Sequence, residues 1–303
     1  MWTQILRHAL GRRAATLLHP RPKISVVVPV FRTEPYLADS LASVLRQSLD
    51  DIEVIVVDDG SPGAVRQIVR RLSAHDRRVS LIRHRANQGT LAARLSGARA
   101  ARAPYLAFVD ADDIVDEHFL ATMHEAARAH DADLVQCGIS MIEFDQSRSL
   151  LNCGGGAHLA SGDSVLAEFL DGKMSNSVAN KLIRAACWRK AAACLGHGVG
   201  RVSFGEDLLM TFFVTSLAGR YAHIPDPLYV YVRRQESATL AEGDAIMTQR
   251  AAAMREVWRT IAPTLERCQQ PDDLKRHFLQ REFWPLVPDA RVTNVARCAA
   301  SAS

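Results

Sequence analysis

Two short stretches, VVDDGSPG (Val56–Gly63) and VDADD (Val109–Asp113), each run an apolar segment straight into paired carboxylates. Like charges side by side repel and are costly to bury, so both places need something that wants negative charge. Hard carboxylate oxygens suit Mg²⁺ or Mn²⁺, ions that keep their remaining positions for water and substrate phosphates. Asp110 and Asp112 stand at i and i+2, so they share a face if a strand continues through them. If the chain turns there, both still reach one site. Aspartate also caps turns and helices well. One such residue would favour that reading; the same pattern at two places favours a site.

The elements around these acids place both at one rim. ISVVVPV (Ile24–Val30) and IEVIVVDDG (Ile52–Gly60) are apolar, β-branched runs of the kind that suit strands buried on both faces. VSLIRH (Val79–His84) and PYLAFVDADD (Pro104–Asp113) read as the third and fourth strands, and ADLVQCGISMIEF (Ala132–Phe144) as a fifth. Amphipathic helices are expected between them at Pro35–Leu49, Ala64–His75, Leu91–Arg102 and Glu117–His130. Repeated strand–helix units predict a mostly parallel sheet with helices on both faces, and ligands then sit at the carboxyl ends of the strands. After Asp145 the pattern weakens. Helices are expected at Asp163–Leu170, Ile183–Ala193, Asp207–Ala218 and Asp244–Ile261, a strand at Leu228–Arg234, and a helical tail from Pro271 to Trp284. No GxGxxG follows the first strand and no GxxxxGK[ST] occurs, so any phosphate must be held by acids, a metal and side chains instead.

With 303 residues, 48% of them hydrophobic, the chain has material for one large domain or for a domain plus an appendage. Its net charge of +4 is small and arginine occurs throughout, which does not point to nucleic acid. The six cysteines show no CxxC spacing and read as reduced thiols of a cytosolic protein. No apolar run approaches the ~18 residues of a membrane span, and no signal peptide is evident. Residues 1–22 alternate apolar and basic positions at helical spacing (Trp2, Ile5, Leu6, Leu10 against Arg7, Arg12, Arg13), a pattern compatible with peripheral contact at a membrane interface.

SVVVPVFRTEPYLADSLASVLRQSLDDIEVIVVDDGS, followed by NQGTLAAR and GARAARAPYLAFVDADD, resembles the family 2 inverting nucleotide-sugar glycosyltransferases, and the later NKLIRA, FGEDLLM and PLYVYVRRQES follow in the family's order. The resemblance implies a GT-A fold over residues 23–237. The nucleotide-binding half would be 23–115, the acceptor half 116–237, and 238–303 a mainly helical extension. It also implies roles. Pro29, Phe31 and Glu34 would line the base pocket, and Asp58 or Asp59, with a slight preference for Asp59, would accept from the uracil ring. Arg94 would lie near the donor. Asp112 would bind the metal, Asp110 would reach ribose or sugar, and Asp113 would help to position them. Asp207 of the Glu206–Asp207 pair would be the catalytic base, although acids also favour a helix start on electrostatic grounds alone. Lys181, and Arg233 or Arg234, would face diphosphate or acceptor. The chain departs from the family at Leu95, Gly63 and Ala103, none of them a metal or base position.

The reading is therefore a Mn²⁺- or Mg²⁺-dependent glycosyltransferase on the cytosolic side. It would use a UDP-sugar and the hydroxyl of a glycan or lipid-linked glycan in bacterial surface polysaccharide or glycolipid synthesis. The alternatives are an inactive GT-A-like module that binds glycan or a partner and, less favoured, a sugar nucleotidyltransferase, which would bring a Gly-rich loop after the first strand.

Overall fold

A computed structural model describes residues 21–152, 155–195, 202–234 and 243–287. The expected N-terminal amphipathic segment and the last part of the C-terminal extension lie outside these residues. Four parallel strands, β1 (Ile24–Val30), β2 (Ile52–Asp58), β3 (Val79–Arg83) and β4 (Tyr105–Phe108), form one half of a sheet in the order β3-β2-β1-β4. The sheet continues through β9 (Lys181–Arg184), β6 (Leu134–Ile142), β10 (Arg220–Val232) and β5 (Ile114–Val115). β7 (Arg148–Asn152) pairs with β6, and β8 (His158–Ser161) pairs with β10. β9 runs antiparallel to both β4 and β6, so β6 and β10 point the same way as the first four strands.

The helices divide between the two faces as the strand alternation dictates. Val26, Val28, Val54 and Val56 pack with α1 (Glu34–Leu45), α2 (Val65–Ser73) and α4 (Phe119–Ala129). Val27, Ile55 and Val57 face the other way. They share a second core with α3 (Thr90–Ala100), α5 (Asp163–Leu170), α6 (Ala185–Cys194), α7 (Glu206–Leu217), α8 (Asp244–Arg267) and α9 (Asp272–Glu282). This two-sided burial explains the unbroken apolar runs of β1 and β2. Cys137, Cys187, Cys194 and Cys268 are free thiols; Cys153 and Cys298 lie outside the described residues.

Several expectations are corrected. NKLIRA does not open a helix: Lys181–Arg184 is a strand, and the helix starts at Ala185. Leu182 and Ile183 fill both faces between β4 and β6, and that burial outweighs local helical preference. The fourth strand ends at Phe108, before the acids. Asp113 N–H donates to Asp110 O at 3.1 Å, so VDADD forms a turn rather than a strand end. β10 begins at Arg220, eight residues earlier than expected, with a register shift between Ile224 and Tyr229. α8 continues through Pro263 to Arg267.

Two features hold the nucleotide-side half in place. Glu53 is buried at the start of β2, where Ser25 Oγ (2.6 Å), Arg102 N–H (2.7 Å) and Arg102 Nε (2.8 Å) donate to it. Burial alone would raise its pKa, but these donors outweigh burial and leave it below the usual glutamate value. Gly97 presses α3 against the sheet: a Cβ there would stand 2.3 Å from Val27 Cγ1 and 3.2 Å from Val57 Cγ2.

Gly97→Ala is expected to destabilise the chain by about 1–3 kcal/mol through overpacking, seen as a lower urea midpoint. Because the folded-state pKa of Glu53 is depressed, its stabilisation is present above pH 4.5 and is lost as pH falls through that region. Glu53→Gln should therefore lower the urea midpoint at pH 7 and flatten the loss of stability between neutral and acidic pH.

Candidate active site

The carboxyl ends of β1, β2 and β4 meet the start of α7 at one rim. After β1, Arg32 adopts a left-handed backbone (φ 58°), and its N–H donates to Ser61 Oγ at 3.3 Å, which joins the β1 and β2 loops. Pro29 lies within β1 opposite Val57, and Phe31 is an exposed ring beside Arg32. Glu34 opens α1, and its buried Oε1 has no hydrogen-bond partner among the described residues. Gly63 makes room for it, since a Cβ there would stand 2.5 Å from that oxygen. The departure from the family at position 63 thus matches a local fit. An orphaned carboxylate oxygen in a loop cleft is a place where a ligand donor is expected.

The two acids after β2 have different fates. Asp58 Oδ1 accepts from Ser61 N–H at 2.8 Å, and its other oxygen faces the exposed Arg83 at 3.3 Å. Asp59 is committed on both sides. It accepts from Gln88 N–H (2.9 Å) and Gly89 N–H (2.8 Å) and lies 2.6 Å from His84 Nδ1. His84 Nε2 in turn meets Ser96 Oγ at 2.9 Å; a neutral ring with its proton on Nδ1 satisfies both contacts. Asp59 therefore organises the loop into α3, whereas one Asp58 oxygen meets an exposed arginine.

The three acids of the VDADD turn are also separated by their partners. Asp113 is buried: Tyr229 Oη donates to one of its oxygens at 2.7 Å and Val232 N–H to the other at 2.9 Å. Burial and the two neighbouring aspartates push its pKa well above the usual value. It ties the turn to β10 and presents no oxygen to the cleft. Asp110 Oδ1 accepts from Arg94 Nη2 at 2.9 Å, and its N–H donates to Tyr229 Oη at 3.2 Å. Asp112 carries a pKa raised by burial and by Asp110. Its backbone carbonyl accepts from Arg234 Nη2 at 2.9 Å, and that guanidinium lies 3.6 Å over the Tyr36 ring. Arg233 turns away to Glu143 and Phe144.

Arg94 is the junction. Its side chain is buried, with Nη2 on Asp110 and Nη1 on Asp207, and its Nε has no partner. Burial would weaken its protonation, but Asp207, Asp110 and Glu206 outweigh it and hold the charge more firmly than in free arginine. Glu206 and Asp207 form the first turn of α7, reached through a left-handed Gly205 (φ 82°). Burial, and then the Asp207 charge, raise Glu206 above the usual glutamate value. The second Asp207 oxygen accepts from Val178 N–H at 3.4 Å.

Lys181 does not line this cleft. It is fully buried, and its ammonium donates to Ser175 O (2.8 Å), to Ser177 O and to Asn180 Oδ1 (3.3 Å). Burial lowers its pKa to about 7. Its part is to shape the loop that reaches Asp207. Sequence reasoning missed Tyr229. The signal was there: an inward position of the alternating YVYV run, occupied by a ring with a polar tip that needs a partner when buried.

Among the described residues no group of three or more acidic, histidine or cysteine side chains forms a ready cation cage. The donor set still suits a hard divalent ion. Asp112 offers a carboxylate with no partner from another of the described residues, Asp110 has one oxygen outside its Arg94 bond, and substrate phosphates and water would complete the shell. Tyr229→Phe removes the donor to Asp113 and the acceptor for Asp110 N–H together. It is expected to cost about 1–3 kcal/mol, measured by urea unfolding.

Residues 25–151 match the model of glycosyl transferase family 2. Bacillus subtilis EpsJ, an uncharacterized glycosyltransferase, is 39% identical over 117 residues, 39% of this chain and 34% of that protein. The chain therefore spans about a third of EpsJ. Bacillus subtilis EpsH, a putative glycosyltransferase, is 29% identical over 245 residues, 78% of this chain and 70% of EpsH. The crystal structure of S. aureus TarS 1–349 in complex with UDP-GlcNAc superposes with a TM-score of 0.69 at 19% identity, covering 91% of this chain and 77% of that one. Among the described residues no helix is long and apolar enough to cross a membrane. With the family match on residues 25–151, which carry both acidic turns, and the sheet order continuing beyond it, the chain is similar to glycosyl transferase family 2 and has the GT-A fold.

Proposed function

We propose that this chain transfers a sugar from a nucleoside diphosphate donor to an acceptor hydroxyl with inversion at the anomeric carbon. One observation carries the reading. A single buried guanidinium, Arg94, bridges Asp110 of the VDADD turn and Asp207 at the start of α7. Donor-side acid and candidate base therefore flank one cleft. In the proposed step the acceptor hydroxyl gives its proton to the Asp207 carboxylate while its oxygen bonds to the anomeric carbon. The anomeric C–O bond to the β-phosphate breaks, and the nucleoside diphosphate leaves with that electron pair. Mg²⁺ or Mn²⁺ on Asp112, beside Asp110, would neutralise the charge that develops on the leaving diphosphate.

The orphaned Glu34 oxygen and the Asp58 carboxylate would receive donors from base or ribose, with the exposed Phe31 ring beside them. A uridine nucleotide is the favoured donor, supported by the TarS fold match in complex with UDP-GlcNAc. The acceptor is proposed as a glycan or lipid-linked glycan of a surface polysaccharide, met on the cytosolic side; this rests on analogy within the family.

Two substitutions test the assignment on the purified chain. Asp207→Asn should keep the thermal shift produced by its UDP-sugar with Mn²⁺ and lose transfer by ~10²–10⁴-fold. Near-normal transfer would remove Asp207 as the base. Asp112→Ala should lose the part of the thermal shift that chelator removes from the unsubstituted chain. An unchanged metal-dependent shift would place the ion elsewhere.

A further inference from the structure

Arginine occurs throughout the chain, but acid does not. Residues 64–102 hold ten arginines and one acidic residue, Asp76, a net charge of +9 in a chain whose total is +4. The remainder is therefore net −5. Of these arginines, Arg94 is neutralised inside the cleft, Arg78 pairs with Asp76, Arg102 with Glu53 and Arg83 with Asp58. Arg99 is exposed on α3; Arg66, Arg70, Arg71, Arg77 and Arg85 are exposed around α2 and β3, and among the described residues none of these six has an acidic partner within ion-pair distance. The fold gathers the five around α2 and β3. α2 turns Val65, Val69 and Leu72 inward and so projects Arg66, Arg70 and Arg71 outward, while β3, which α2 packs against, is the outermost strand of the sheet. Arg77 and Arg85 bracket that strand.

This arrangement is not needed for folding. α2 is anchored by its three buried apolar residues, and like charges four apart, as at Arg66 and Arg70, oppose the helix. No acid stands in the helix to relieve them. We infer that the outer face of α2 and the β3 edge is a docking surface for an anionic lipid membrane. The surface is a convex helix face beside a sheet edge, which a planar sheet of headgroups can meet. Residues 64–102 contain no Phe, Tyr or Trp, so the face lacks the rings on which single-stranded nucleic acid stacks. Closely spaced cations with no internal counter-ions are what a negative surface potential attracts, and the contact should weaken with salt. The apolar residues of α2 are inside the protein, so binding is by headgroup attraction without insertion.

The test is co-sedimentation of the full chain with phosphatidylcholine vesicles with and without phosphatidylglycerol, at low and raised salt. Partition should require phosphatidylglycerol, fall with salt, and drop at least about tenfold in the triple variant Arg66→Glu, Arg70→Glu, Arg71→Glu. The same variant should keep its thermal midpoint and its response to UDP-sugar, which separates loss of docking from loss of fold. Reversing Arg7, Arg12 and Arg13 instead should leave most of the partition. The proposal fails if unsubstituted chain ignores anionic vesicles or if the triple variant binds as well as the unsubstituted chain. Loss of binding on reversal of the N-terminal arginines alone would also overturn it. So would equally tight binding to a thymidine oligonucleotide that the triple variant abolishes, which would mark a surface for polyanions in general.

Discussion

One buried cation organises the rim of this protein. Arg94 lies between Asp110 and Asp207, two acids 97 positions apart in sequence and on different elements, and it is the counter-charge for both. Removing water from a guanidinium is costly, and only good geometry with opposed charges offsets that cost. Here two carboxylates supply it. The turn after β4 and the first turn of α7 must therefore hold their relative positions for Arg94 to remain satisfied. The cleft is assembled around a charge rather than around an apolar contact.

The other acids show how a crowded set of carboxylates is managed. Asp113 and Asp59 are consumed by hydrogen bonds and serve as internal ties, one to β10 and one to the loop before α3. Asp58 accepts from Ser61 N–H with one oxygen and meets an exposed arginine with the other, and Asp112 keeps its carboxylate for the cleft. Four aspartates that look equivalent in sequence thus divide into two that build the site and two that face it. Lys181 belongs with the builders. It organises the backbone between Ser175 and Asn180, and that backbone reaches Asp207 through Val178.

Much of this was legible before the structure. The apolar runs of β1 and β2, the helices between them and the position of both acidic turns at the carboxyl rim follow from patterns of local sequence. Asp110, Asp112, Asp207 and Arg94 were named, and they do converge. What sequence could not show was the sharing of partners. Which of Asp58 and Asp59 is tied into the loop before α3 depends on where His84, Gln88 and Gly89 fall, and that is a tertiary matter. Lys181 was expected to face diphosphate or acceptor from the family resemblance of NKLIRA. Burial between two strands gave its ammonium backbone carbonyls instead. The strand at Lys181–Arg184 was missed for the same reason: its pairing partners, β4 and β6, lie far away in sequence.

Gly97 stands three residues, just under one helical turn, after Arg94 on the same short helix. Its missing side chain lets α3 lie flush on Val27 and Val57, and that depth fixes how far the guanidinium projects toward the acids. The hydrophobic layer beneath α3 thus acts as a gauge for the charged layer above it. An engineer who fills the space under α3 to gain stability would move the cleft's central charge by the thickness of whatever was added, so core and cleft in this half of the molecule cannot be redesigned independently.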